Sequence, residues 1–320
     1  MSPEKSKISR RKLLKAAALG TMATAIPFEV TLAEPDLKSK NEPILRFAHL
    51  TDIHLRPDGI SEASLRKCLD HLIQQEKKVD FLINGGDVIM DALGENEESV
   101  EAQWAVWRKI KAAYPELKFY HCIGNHDVWG AAPEGESFPG KAWAMKEHAL
   151  ENPYYTFDIN GWHFIVLDST HQKEDDSWYT AKLDSAQREW LEDTLIKIPA
   201  DKPTLIISHI PILGATPFLD GDNARSGDWI VPGAWMHTDA KSLISLFHQH
   251  KKVKICISGH IHILESLLYN DVHYHCSGAV SGNWWNDEPY EFTHKGYGFF
   301  ELFKDGTHTF KYVQFDLDTK

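Results

Sequence analysis

Asp52 and His54 stand one residue apart just after an apolar run, and four more pieces of the same kind recur along the chain. Asp87 follows Gly85-Gly86, Asn125-His126-Asp127 follows Gly124, His209 follows Ser208, and His260 and His262 flank Ile261 after Gly259. Aspartate, histidine and asparagine supply the oxygen and nitrogen donors that divalent metal ions take, so these residues could do metal chemistry if they meet. Singly, each piece has an ordinary explanation. An Asp after a buried strand often caps a helix or turns the chain, and a His there is often a hydrogen-bonded surface residue. Several such pieces in order, with glycines that allow close backbone approach, make coincidence an unattractive account.

A sheet is what could gather them. Beyond Pro43, apolar strand-like runs alternate with helix-period segments, the pattern of an α/β fold. Strands are expected at 44–50, 79–83, 118–123, 204–207 and 253–257, and helices at 61–78, 98–113, 185–196 and 239–250. Ser61 can cap the first helix, along which Leu65, Leu69, Leu72 and Ile73 repeat at helical spacing. Residues 154–159 and 162–167 flank Asn160-Gly161, a two-residue hairpin signal, and from Leu264 onward the chain reads as β with tight turns at Asn270-Asp271 and Lys304-Asp305-Gly306. Every motif follows a strand, and ligands of α/β sheets bind in the crevice beyond the strands' carboxyl ends. Convergence there is what a metal site requires. Two connections, 128–150 and 210–236, are long enough to be functional or flexible.

The ordered set Asp-x-His, Gly-Asp, Gly-Asn-His-Asp, Ser-His and Gly-His-x-His resembles the calcineurin-like metallophosphoesterases, over essentially the whole chain from about Ile44 to Val313. The resemblance implies an α/β fold, a four-layer α-β-β-α sandwich of two packed mixed β-sheets flanked by helices, with a dimetal site at the strand C-terminal ends. It implies Asp52, His54 and His262 on one metal, Asn125, His209 and His260 on the other, and Asp87 bridging both. His126 occupies the family's catalytic-acid position, with Asp127 beside it as a supporting group. The purple acid phosphatase branch carries a tyrosine three residues after the bridging aspartate and lacks the histidine found here at His54. This chain has Met90 at the tyrosine position. The likeness is therefore nearer the branch of bacterial cyclic-nucleotide phosphodiesterases, and a phosphodiester is favoured over a monoester. Gly278–Trp285, followed by Lys295-Gly296-Tyr297-Gly298, also resembles a set of exported family members.

Phosphate esters resist attack because their anionic oxygens repel nucleophiles. Two divalent ions about 3.5–4 Å apart neutralise those oxygens, lower the pKa of a bridging water towards about 7 and align it for in-line displacement. Imidazole, carboxylate and amide ligands together suit Mn, Fe or Zn, so the ligand set leaves the metal open. His126 is a candidate donor of the leaving group's proton, since an unperturbed imidazole titrates near pH 6.5; the competing role is a hydrogen bond to substrate oxygen. Trp284, Trp285, Trp229 and Trp235 are the tryptophans that could face the cleft and stack on a base or sugar. Arg225 could clamp a phosphate, or be an ordinary loop arginine.

The chain of 320 residues carries a net charge of −12. Residues 1–33 hold six Lys/Arg against two Asp/Glu, leaving a body at −16 with no basic tract for long nucleic acid. Ser9-Arg10-Arg11-Lys12-Leu13-Leu14-Lys15, the short apolar stretch Ala16 to Pro27 and Thr31-Leu32-Ala33 have signal-peptide architecture and resemble a twin-arginine export signal cleaved near Ala33. That stretch is too short for a permanent membrane anchor. The expected organisation is a signal peptide at 1–33, a linker at 34–43 and one catalytic domain at 44–320, exported to the periplasm or beyond by the twin-arginine machinery. Cys68, Cys122, Cys256 and Cys276 form no CxxC pair and read as packed thiols, with a disulfide possible in an oxidising compartment. A different class of function, an envelope glycan- or ligand-binding protein with bound metal and little hydrolysis, is disfavoured by the full set of ligand positions with His126.

Overall fold

Near-continuous burial marks the strands that precede the motifs, because both faces of each are covered. In the computed structural model, which describes residues 42–174, 179–221 and 223–316, β1 (Leu45–Leu50), β2 (Phe81–Asn84) and β3 (Phe119–His121) run parallel. Antiparallel β14 (Gly296–Leu302) and β15 (His308–Gln314) complete a five-stranded sheet of order β15-β14-β1-β2-β3. The second sheet has order β12-β13-β11-β8-β5-β4. Its members are β4 (Tyr155–Ile159), β5 (Trp162–Val166), β8 (Thr204–Ile207), β11 (Val253–Ser258), β12 (Leu264–Tyr269) and β13 (Val272–Ser277). Strands β5, β8, β11 and β13 are mutually parallel, and β4 and β12 form antiparallel edges.

The two sheets share one core. Phe47, Phe81 and Phe300 of the first meet Phe164, Leu205 and Ile257 of the second, with Phe47 stacked 4.7 Å from Phe300 and edge-on to Phe164 at 6.1 Å. On the outer face of the first sheet, α1 (Ile60–Gln74) and α2 (Glu97–Ala113) bury Leu65, Leu69, Val100 and Trp104 against Ala48, Leu50 and Leu82. On the outer face of the second, α4 (Ser185–Lys197) and α5 (Ala240–Gln249) bury Leu191, Leu195, Leu243 and Phe247 against Ile165, Ile206 and Tyr274. This is the four-layer sandwich expected. Among the described residues, no helix is long and apolar enough to cross a membrane. The expected signal peptide with Arg10-Arg11 and nearly all of the expected linker lie outside the described residues.

Several local expectations need correction. Ser61 does not cap α1; the carboxylate of Asp58 does, accepting the backbone N–H groups of Ile60 and Ser61, while Ser61 is buried in the first turn. The helix ends at Gln74, four residues earlier than expected, because Lys77 and Lys78 present no apolar side to a core. The long connections also hold structure. Residues 128–150 contain α3 (Ala142–His148), and residues 210–236 contain a single 3₁₀ turn at Thr216–Phe218 and a small hairpin, β9 (Ala224–Arg225) with β10 (Asp228–Trp229). A further short hairpin, β6 (Thr170–Gln172) with β7 (Tyr179–Ala181), precedes α4. The elements β6, β7, β9 and β10 are too short to leave a period in the sequence. Asn160 and Gly161 both adopt positive φ, 46° and 88°, as the two-residue turn demands. All four cysteines are free and buried, and burial pushes each thiol up.

Candidate metal centre

Asp52, His54, Asp87, His260 and His262 all lie in the left-handed region, with φ between 51° and 70°. Residues other than glycine avoid it, at a cost on the order of 1 kcal/mol or more each, unless their surroundings hold them there. Here the chain turns sharply off each strand so that the side chain doubles back over the strand end. The backbone around the turns is pinned. Asp52 N, Ile53 N and His54 N donate to the carbonyls of Gly86 and Asp87, His260 N donates to the Asp52 carboxylate, and Ser281 donates through both N and Oγ to Asp52 O. The glycines before the ligands are needed for room. A Cβ on Gly124 would lie 2.1 Å from Asp87 Oδ1, and one on Gly259 2.2 Å from Asp52 Oδ2.

The seven expected ligands form two linked groups. In one, His54 Nε2 and His262 Nε2 are 3.0 Å apart, and His262 Nε2 is 3.5 Å from Asp52 Oδ1. In the other, His209 Nε2 is 3.1 Å from Asn125 Oδ1 and 3.1 Å from Asp87 Oδ2, with His260 within reach of Asp87 and His209. Asp87 Oδ2 is also 3.9 Å from His54 Nε2, so this carboxylate stands between the groups. Facing donors about 3–3.5 Å apart are the edges of a coordination shell whose metal–ligand bonds are about 2.0–2.2 Å. His209 Nδ1 donates to Gly85 O and His262 Nδ1 to Gly282 O, which turns each Nε2 lone pair inward.

Electrostatics agree with a cation site. Asp52 and Asp87 are fully buried, and no Lys or Arg is among the groups that set their ionisation. Burial would raise the Asp87 carboxyl, but His209 and His126 outweigh it and hold it well below the usual range. Burial likewise disfavours the His209 imidazolium, yet Asp87 overrides it and lifts the ring to about 9. Two buried carboxylates need positive charge nearby, and bound divalent ions would supply it. The donor set and its geometry therefore fit a pair of metal ions.

Asp127 does not face the ligands. Its carboxylate accepts the backbone N–H groups of Asp87, Gly124, Val88 and Ile89, and burial together with the Asp87 charge pushes it up to about 7. It locks the Asp87 loop to the Asn125 loop. The His126 side chain keeps 31% of its surface exposed beside the centre, its backbone N–H donates to Asp87 Oδ1, and its Nδ1 is 3.5 Å from Asp91 Oδ1. A ring nitrogen of His126 also comes within 4.8 Å of ligand atoms of His54 and Asp87. Burial disfavours the His126 imidazolium, but Asp87 and Asp91 outweigh it and raise the ring above its ordinary value. No sequence motif marks Asp91. Its only signal is its place four residues after Asp87, where a turn aspartate would look the same.

The four substrate-binding candidates separate. Trp284 lies on the candidate ligands, its ring stacked on His262 at 4.2 Å and tilted against His54 at 6.0 Å. Trp285 is a correction: it is buried, packs into the α1/α2 core and donates Nε1–H to His54 O, so it braces the Asp52–His54 turn and offers no platform to a substrate. Arg225 and Trp229 sit exposed on β9 and β10, where Trp229 meets Phe218 edge-on and Arg225 makes no ion pair among the described residues. Neither is brought onto the metal ligands by any contact. Trp235 is half-buried against Ile210, Ala234 and Ile261.

A model of the calcineurin-like phosphoesterase family matches residues 45–264, which hold all seven candidate ligands. The chain belongs to that family. It is 24% identical over 230 residues, 70% of this chain and 74% of the relative, to a probable glycerophosphodiester phosphodiesterase, GpdQ, of Arcobacter nitrofigilis. Among solved structures it is similar to a dimetal phosphatase from Danio rerio, at 15% identity and a TM-score of 0.55, over 85% of this chain and 98% of the other. This phosphoesterase is thus a metal-dependent phosphoester hydrolase, and the two-sheet fold with its histidine and aspartate clusters is the family's.

Proposed function

We propose that the phosphoesterase hydrolyses a small phosphodiester, with the seven clustered ligands holding two divalent ions and His126 donating the leaving group's proton. The observation that carries the hydrolytic reading is Asp87 standing between two ligand groups, with a ring nitrogen of the partly exposed His126 within 4.8 Å of it. The match to a glycerophosphodiester phosphodiesterase supports the diester preference. When bound, the ion pair would neutralise phosphate oxygens and activate water. The protein's own residues do the rest. Asp91 behind His126 Nδ1 orients the ring so that Nε2 is left for the departing oxygen, Asp127 keeps the two loops in register, and Trp284 covers His262 on the side from which a substrate group would stack. The acidic body, without a basic tract, suits a small ester better than long nucleic acid.

Turnover of bis(p-nitrophenyl) phosphate by enzyme loaded in turn with Mn, Fe and Zn tests this, with p-nitrophenyl phosphate as the monoester control. The diester is expected to be cleaved at least as fast as the monoester. No turnover in any metal would favour a binding role. Twin Arg10-Arg11 ahead of a short apolar stretch supports export of the folded protein, with its metals, by the twin-arginine route. Replacing both with lysine should trap the precursor in the cytoplasm; unchanged appearance of mature protein outside would reject that route.

A further inference from the structure

A second cluster of histidines lies away from the catalytic motifs. Alternation along β13 turns Val272 and Tyr274 towards α4 and α5, and His273 and His275 towards the other sheet. From that sheet, His308 at the start of β15 meets them. His275 Nε2 and His308 Nε2 are 2.8 Å apart, the His273 ring centroid is 4.7 Å from that of His308, and one ring nitrogen from each of the three falls within 4.8 Å of the others. His308 pairs with Leu302, which pairs with Leu45 at the first residue of β1, whereas Asp52 lies two residues beyond that strand's last residue. At about 3.3 Å per strand residue, the cluster is on the order of 20 Å from the catalytic pair.

We propose that His273, His275 and His308 bind a third divalent transition-metal ion, with Zn the best fit, that ties β13 of one sheet to the edge strand β15 of the other. Three observations converge on it. The three donors that meet are imidazole nitrogens, and three imidazoles with one open position form a known Zn coordination set, with Zn–N bonds of about 2.0–2.1 Å. His275 Nδ1 is 2.8 Å from Ser266 Oγ, so the hydroxyl can accept its proton and leave the Nε2 lone pair facing the cluster, as metal-bound histidines are usually held. His275 is buried against Phe300 and Phe310 and His308 is buried beside it, which excludes competing water and disfavours the charged form of both rings, while His273 is partly exposed and opens a path for the ion and a fourth, solvent ligand. The three side chains come from both sheets, so an ion there cross-links β13 to β15.

The test uses the full chain, loaded with Mn at the catalytic centre and then dialysed against Zn, with total metal per chain, hydrolysis and thermal midpoint measured together. The parent is expected to hold one more ion than either His273→Ala or His308→Gln, to weaken its hold on that ion at least about tenfold when one ligand is lost, and to show a Zn-dependent rise in midpoint that both variants lack. Both variants should keep hydrolysis at the parent's level. His273→Ala is the decisive variant for folding, since its side chain is the least buried of the three. Equal metal content in the parent and both variants would overturn the proposal. So would a lost ion accompanied by a proportional loss of hydrolysis, because the ion would then have belonged to the catalytic pair. Because hydrolysis is read separately, an inactive parent that still binds the extra ion would fail the proposed function and leave this site standing.

Discussion

Asp87→Ala is expected to strip both catalytic ions from the enzyme and abolish hydrolysis. Its Oδ2 lies 3.1 Å from His209 Nε2 and 3.9 Å from His54 Nε2, so one side chain serves both ligand groups. Groups that merely orient a ligand change metal affinity about 10–100-fold when removed, and loss of a shared ligand should exceed that at both positions. His262→Ala removes a donor from the Asp52 group alone and should weaken chiefly one ion. Metal analysis of the purified variants decides it, with circular dichroism to show that they fold. Asp87→Asn serves as a second variant that keeps the acceptor for His126 N–H. If Asp87→Ala retains two tightly bound ions, Asp87 is not a bridge.

His126→Ala should damage hydrolysis of alkyl or nucleoside esters by about 10²–10⁴-fold, the usual contribution of a general acid, and that of p-nitrophenyl esters far less. A p-nitrophenolate leaves without a proton, whereas an alkoxide needs one. The partly exposed His126 ring lies within 4.8 Å of Asp87 with the Asp91 carboxylate 3.5 Å from Nδ1, and both carboxylates favour its protonated form. Because a His126 nitrogen also comes within 4.8 Å of His54 and Asp87, the metal content of the variant is part of the test. Unchanged metal with a loss confined to poor leaving groups supports proton donation. Equal losses on both ester types, metal retained, would make His126 a phosphate-orienting group, and loss of an ion would make it a ligand.

The sequence by itself determined the longer strands and most helix cores, because each depends on neighbours within a few residues, and the order of its motifs singled out seven candidate ligands. Leu65, Leu69 and Leu72 mark a helix by their spacing, Asn160-Gly161 marks a hairpin, and a buried apolar run ending in Gly-Asp or Gly-His marks a strand exit. Boundaries were less legible. Asp58, not Ser61, caps α1, and α3 and the short hairpins carry too few residues to show a period. What only the tertiary structure decided are contacts between residues far apart in the chain. Asp91 is an ordinary turn aspartate until β2 and β3 bring His126 beside it, and adjacent Trp284 and Trp285 are indistinguishable until left-handed backbone at both sends one onto His262 and the other into the core. His273, His275 and His308 gave no motif at all, since two belong to one sheet and the third to the other. Local sequence records what a residue can do within a turn or two, and the packing of two sheets records which residues, two hundred positions apart, do it together.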